Sequence, residues 1–247
     1  MRRLSVVHKA CGVLLIVSLT ITGCLGSRDW DYPPPPENAY LDVTTDQKVD
    51  GSLVVVPLDD KRGTEVREQY WASVIPFVPH ATAVYDRPET VSSPSPVDEV
   101  LFSPSRDFAR ALAEEIRKTN IFTSVTFVDK DQPLPPGDFV LQGRLYSTRW
   151  ERNISTYLLG PAGTVLWFAG LPLGTTEIDV EMFTQITRAG EPDNVLWGFA
   201  MEFEAKEIDS LYRGLEDSVT NYSRGLQEGL RLAIEDLVEK APTRLKP

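Results

Sequence analysis

Along the C-terminal half of the chain, Ile178, Val180, Met182 and Ile186 alternate with Glu177, Asp179, Glu181 and Gln185. After a turn holding Gly190 and Pro192, the alternation resumes at Val195, Trp197, Phe199, Met201 and Phe203. A period of two places each apolar set on one side of an extended strand, so the pattern predicts a long antiparallel hairpin with one dry face. Two other stretches carry the helical period. Phe108, Leu112 and Ile116, with Ala109 and Ala113, fall on one face of a helix over about Pro104 to Thr119, with Ser103 as its cap and Asn120 as a left-handed stop. Leu215, Val219, Tyr222, Leu226, Leu230, Ala233, Leu237 and Val238 predict a second helix that ends before Pro242.

Between these lie shorter signals. The run LVVVPLDD, Leu53 to Asp60, is a continuous apolar block suited to a buried strand. Val125 and Phe127, with Ile121, mark a strand after the first helix, and Phe139 to Trp150 marks another after a proline-rich turn. The two helices need a sheet face to cover their apolar stripes. The expected fold is therefore α+β, a two-layer sandwich with a mainly antiparallel sheet of about five strands and both amphipathic helices on one face.

Two segments break the pattern. From Arg62 to Leu101 no clean period appears and five prolines interrupt, yet Tyr70, Trp71, Val74, Ile75, Phe77 and Val78 are too apolar for a solvated loop. From Ile154 to Gly174 there is no charged residue, and Tyr157, Leu158, Leu159, Trp167, Phe168, Leu171 and Leu173 stand out as candidate interaction residues. Gly160, Pro161, Gly163, Gly170 and Pro172 argue against a membrane-spanning helix there. Three roles remain open: a flap over the protein's own core, a contact with another copy or a partner protein, or a loop lying in a membrane surface.

The beginning of the chain changes the picture more than composition does. Arg2, Arg3 and Lys9 precede an apolar run from Val13 to Ile21, which is short for a membrane span and laid out as an export signal. Ile21, Thr22, Gly23 and Cys24 resemble the bacterial lipobox, and the resemblance implies cleavage after residue 23 and acylation of Cys24. The residue after it is Leu25, which by the same resemblance implies an outer-membrane address with the domain facing the periplasm. The resulting organisation is a signal peptide over 1–23, a Pro-rich membrane tether over 24–50 that includes Pro33 to Pro36, an α+β domain over 51–242 with its apolar insert at 154–174, and a tail over 243–247. Cys11 lies within the signal, so Cys24 is the one mature cysteine and no intramolecular disulfide is expected.

The whole chain carries a formal charge of -11, with 25 Lys+Arg against 36 Asp+Glu. Loss of Arg2, Arg3 and Lys9 with the signal makes the mature chain more acidic still. No nucleic-acid partner is expected of so acidic a surface.

The block LVVVPLDD, the stretch IRKTNIFTSVTFV from Ile116 to Val128 and the following FVLQGRLYSTRW from Phe139 to Trp150 resemble envelope lipoproteins, namely the auxiliary lipoproteins of ABC-type transport systems. They are more loosely similar to the α/β domains of curli-secretion-channel and TolB-like proteins. That resemblance implies a non-enzymatic accessory or assembly component of a transport or secretion complex. It also implies membrane attachment through Cys24 and a protein partner or homo-oligomer. A ring-forming channel subunit and an unrecognised envelope hydrolase are the alternatives.

Chemistry has few candidates. His80 is the single histidine of the mature chain, so no histidine-rich metal site or Cys/His dyad is expected, and no cofactor is implied. Asp59 with Asp60, and Glu114 with Glu115, are adjacent acids whose side chains diverge on a strand or a helix. They are expected to be solvated, and no catalytic residue is assigned.

Overall fold

The computed structural model describes residues 28–34, 39–91, 100–211 and 217–245. Its centre is an eight-stranded mixed sheet. The hairpin is present, with β9 (Gly174–Arg188) and β10 (Glu191–Asp209) paired antiparallel, Met182 opposite Met201 and Val180 opposite Phe203; the expected alternation holds from Trp197 onward, whereas Val195, expected on the dry face, is exposed between two register shifts. β8 (Phe139–Ser155) pairs antiparallel with β9 along almost its whole length, with one irregularity between Leu145 and Ser147. Beyond β8 come β2 (Val49–Val55) and β7 (Phe122–Phe127), and here the sheet turns parallel. The helix α1 (Pro104–Thr119) lies between β2 and β7 in the chain. A helical crossover returns the next strand in the same direction, so this part of the sheet is parallel.

The sheet exceeds the expected five strands because the segment from Arg62 onward is not a plain surface excursion. β4 (Val66–Glu68) and β5 (His80–Tyr85) form a hairpin, and β5 adds to β8, while the two-residue β3 (Asp59–Asp60) pairs with β8 at Arg144 and Leu145. A separate two-residue pairing joins β1 (Arg28–Asp29) to β6 (Val100–Leu101).

One face of the sheet is dry. Leu141, Leu145, Trp150, Ile178, Val180, Met182, Ile186, Trp197 and Met201 are buried there beneath α1 and the long α3 (Asp217–Arg244), and α1 contributes Phe108, Leu112 and Ile116 to the same core. α3 contributes Tyr222, Leu226, Leu230 and Leu237. Gly225 and Gly229 let α3 approach closely, since a Cβ at either would overlap Phe203 or Met201. A short α2 (Thr164–Phe168) lies in the apolar insert, so the described helices number three rather than two.

Two helix ends differ from expectation. Asn120 does adopt the left-handed conformation, with φ 59°. Ser103, however, makes no side-chain cap; its backbone N–H instead donates to Asp107 Oδ2 at 2.7 Å, which satisfies the helix start from within. α3 continues through Pro242 to Arg244, because proline in the last turn removes only one donor.

Residues 28–34 and 39–50, taken from the sequence as part of a spacer, are packed on the domain. Trp30 lies 5.5 Å from Phe102 and 5.7 Å from Phe108 between ring centroids, Pro33, Pro34 and Leu41 are buried, and Thr45 N–H donates to the Thr119 carbonyl. Apolar rings among the prolines explain it, since a free stalk would leave them in water.

Candidate functional site

The two apolar segments meet at one end of the sheet, and the pairing of β5 with β8 brings them there. His80 opposes Ser155, so the residues just before β5 and just after β8 emerge side by side. The first contributes a 3-10 turn, Tyr70–Val74, and the run to Pro79. The second contributes a 3-10 turn, Gly160–Gly163, and α2.

Backbone groups lock the two together. Phe77 N–H donates to the Leu158 carbonyl at 2.9 Å, Thr156 N–H to Pro79 at 3.1 Å, and the Thr156 hydroxyl to the Val78 carbonyl. The Trp167 indole N–H donates to the Ser155 carbonyl at 3.0 Å, and Tyr157 Oη to Pro172 at 2.5 Å. Leu173 N–H donates to Asp209 and so ties the insert to the end of β10. Gly163 is pressed against the turn at Thr156, where a Cβ would sit 2.1 Å from the carbonyl oxygen.

This apolar tip is not a flap over the core. None of Tyr157, Leu158, Leu159, Trp167, Phe168 or Leu171 belongs to the core beneath the helices; Leu173 is buried, Tyr157 and Trp167 are half-buried, and Leu158, Leu159, Phe168 and Leu171 are exposed. From the other segment Phe77 is 84% exposed and Trp71 63%, and Val165 of α2 is 67% exposed. Polar backbone holds the tip in shape while Trp71, Phe77, Leu158, Leu159, Val165 and Phe168 face outward. Neither segment, 70–79 or 154–174, contains a charged residue.

The backbone there is also strained. Among the described residues four non-glycines have positive φ, and three of them, Phe77 (68°), Tyr157 (53°) and Leu158 (64°), lie in the tip. Bulky side chains rarely adopt this conformation, and it persists only where surrounding structure enforces it.

A second candidate is an open depression of about 500 Å³ on the uncovered face of the sheet, lined by Arg149, Glu151, Glu177, Asp179, Glu204 and Lys206. These are the polar positions of the same alternation that buries Ile178 and Val180. Lys206 pairs with Glu177, and Arg149 pairs with Glu151 at 3.4 Å and Glu65 at 3.1 Å. It is a solvated charge ladder on three strands.

The adjacent acids separate as expected but differ in burial. Asp59 pairs with Lys61 in solvent, whereas Asp60 joins Glu89 in holding Arg62, whose side chain is almost wholly buried. Glu114 pairs with Arg117 at the surface. Glu115 corrects the expectation of solvation: it is 1% exposed and accepts hydrogen bonds from Tyr32 Oη and Leu41 N–H. His80 is exposed at the start of β5. Among the described residues no group of three or more His, Cys, Asp or Glu is placed to hold a metal ion, and no helix is long and apolar enough to cross a membrane. Ile21, Thr22, Gly23 and Cys24 lie outside the described residues.

Both apolar segments are evident in the sequence but their union is not, and their shared lack of charge is the one signal of it.

No family model and no curated protein matches this chain. Among solved structures, the chain is similar to a crystal structure of a Xanthomonas campestris protein described by the family model DUF330, with 7% identity and a TM-score of 0.40 over 84% of this chain and 91% of that one. A second similar structure, of an uncharacterized protein, shows 9% identity and a TM-score of 0.34 over 85% of this chain and 99% of the other.

Proposed function

We propose that this chain is a lipoprotein of the bacterial envelope, acylated at Cys24, held at the outer membrane with its domain in the periplasm, and acting as an accessory or assembly component of a transport or secretion complex. The observation that carries this reading is the tip: the folded domain displays an uncharged, rigidly held apolar surface at one end, which is the mark of a contact site. The three long strands β8, β9 and β10 form a stiff support for it. The open sheet face carries a charge ladder instead, suited to keeping the body soluble beside a membrane.

Labelling with a radioactive fatty acid and separation of the two membranes tests the reading. The account expects labelled protein in the outer-membrane fraction and no label on Cys24→Ser. Equal label on both would remove the lipoprotein assignment.

A ring-forming subunit is the second reading, and β10 favours it. This 19-residue strand is hydrogen-bonded to β9 alone among the described strands, so its other edge is available for pairing between copies. Light scattering across a concentration series separates the readings: a stable ring supports the second, and a persistent monomer excludes it.

A further inference from the structure

We propose that the outer edge of β10 takes an extended segment of a partner protein as an added strand, and that this segment carries Lys or Arg at alternate positions. Such a contact lies beyond the anchoring reading above and stands whether or not Cys24 is acylated. The two sides of the main sheet are unlike. One is broken into short strands, β7 of six residues and β4 of three, and the Val125 carbonyl of β7 already accepts from the Arg117 guanidinium at 3.2 and 3.1 Å. Short strands with a charged group laid on the backbone are how a sheet edge is closed to pairing.

β10 makes up the other side by itself. Pro192 and two register shifts interrupt its beginning, so pairing is blocked there as well. From Trp197 to Asp209, however, the register with β9 is unbroken and the sequence holds no proline. That run is an edge of about 40 Å, hydrogen-bonded to β9 alone among the described strands. A strand of this length left unpaired is a template for an extended segment.

Charge decides what suits the edge. Across β8, β9 and β10, Arg149, Asp179 and Glu204 share one row of the open face, and Ser147, Glu181 and Glu202 share the next. Directly opposite residues have Cβ atoms about 5 Å apart, and like charges so placed repel. Asp179 faces Glu204 in this way, and Glu181 faces Glu202. The nearby cations are engaged elsewhere, Arg149 with Glu65 and Glu151 and Lys206 with Glu177. Among the described residues no cation pairs with Asp179, Glu181, Glu202 or Glu204.

A strand added beside β10 sets alternate side chains in those same rows, opposite Glu202 and Glu204, where lysine or arginine supplies the missing counter-charge. Its intervening side chains fall on the helix side, next to Phe199 and Phe203, which are half-buried at the rim of the core. Apolar residues suit those places. The partner segment therefore alternates basic and apolar residues, continuing by one strand the two-residue period that builds β9 and β10. A second copy is the poorer occupant, because its β10 brings one cation, Lys206, already paired with Glu177, together with the same unpaired acids.

The test uses the full chain in detergent micelles and a fluorescent peptide of alternating lysine and valine, followed by anisotropy, with sizing by light scattering on the same samples. The peptide should bind, and the same peptide N-methylated along its backbone, which keeps the charge and loses the strand hydrogen bonds, should not. Glu202→Lys with Glu204→Lys should weaken binding about tenfold. Both positions are exposed, and each lysine then faces a carboxylate of β9, so this variant should melt no lower than the parent. Glu228→Lys with Glu235→Lys makes the same change of charge on the exposed surface of α3 and should leave binding unchanged. No binding overturns the proposal. Equal binding of the N-methylated peptide, or equal weakening by the α3 variant, shows attraction by net charge alone and overturns it too. An oligomer that the peptide neither dissociates nor joins gives the edge to a second copy and overturns it in favour of the ring. None of these outcomes depends on acylation of Cys24, so the lipoprotein reading stands or falls separately by its own labelling test.

Discussion

The hydroxyl of Tyr32 donates to Glu115 Oε1 at 2.6 Å across 83 positions of sequence, and the second oxygen of the same carboxylate accepts the N–H of Leu41 at 3.0 Å. This one buried acid fastens the N-terminal segment to α1 at two points.

Burial raises the Glu115 carboxyl above its ordinary value of 4.5, while the hydrogen bonds from Tyr32 and Leu41 pull in the other direction. The folded chain then holds this proton more tightly than the unfolded chain. Its contribution to stability is present at acid pH and declines as pH rises from about 4.5 through the raised value. Tyr32→Phe removes a donor to the ionised form, so it should cost about 1.5–3 kcal/mol at neutral pH and less where Glu115 is protonated. Denaturant titrations at two pH values check this, and an equal cost at both would contradict the assignment.

Arg62 ties the β4–β5 region to the sheet, with Nη2 at 2.9 Å from Asp60 and 2.5 Å from Glu89 and Nη1 at 2.6 Å from Thr148. Arg62→Met should destabilise the domain by about 3 kcal/mol, because two partly buried carboxylates lose their counter-charge. The hydrogen bond from Arg62 also holds Asp60 below its ordinary 3.8. That contribution is complete above about 3.8 and is lost as pH falls through the lower folded value, so the variant should show a shallower acid limb. Stability measured between pH 2 and pH 6 decides it, and parallel curves would refute the role of Arg62.

Trp197 is buried on the dry face and donates its indole N–H to Asp236 at 2.9 Å, whereas Glu202 points from the same strand to solvent. Trp197→Ala should cost about 3–5 kcal/mol, and Glu202→Ala less than about 0.5 kcal/mol. Equal denaturation midpoints would overturn the register of β10.

That register was legible in the chain because alternation at Ile178–Ile186 and Trp197–Phe203 marks which side of each strand is dry, and α1 was legible from Phe108, Leu112 and Ile116. The burial of Glu115 was not. Its partners Tyr32 and Leu41 are remote in sequence, and although its spacing from Phe108 and Leu112 puts it on the apolar face of α1, an acid is expected there only when a partner such as Tyr32 is known. The tip was half legible. Both apolar segments show in composition, but their union depends on β5 pairing with β8, and five prolines over 62–101 hide the short β5 from any period-two reading. The proline-rich stretch misled for a related reason: prolines suggest an extended spacer, while the intervening Trp30, Tyr32 and Leu41 supply the burial that holds the chain down.

The tip is proposed as a contact surface that the isolated fold does not need. Leu159→Asp with Val165→Asp, compared with the parent by denaturant midpoint at one protein concentration, tests it directly. Because both side chains are exposed and outside the core, stability should change by less than about 0.5 kcal/mol per site. A loss of about 2–5 kcal/mol, the size expected from emptying a core position, would show that the segment is part of the protein's own core and would contradict the account.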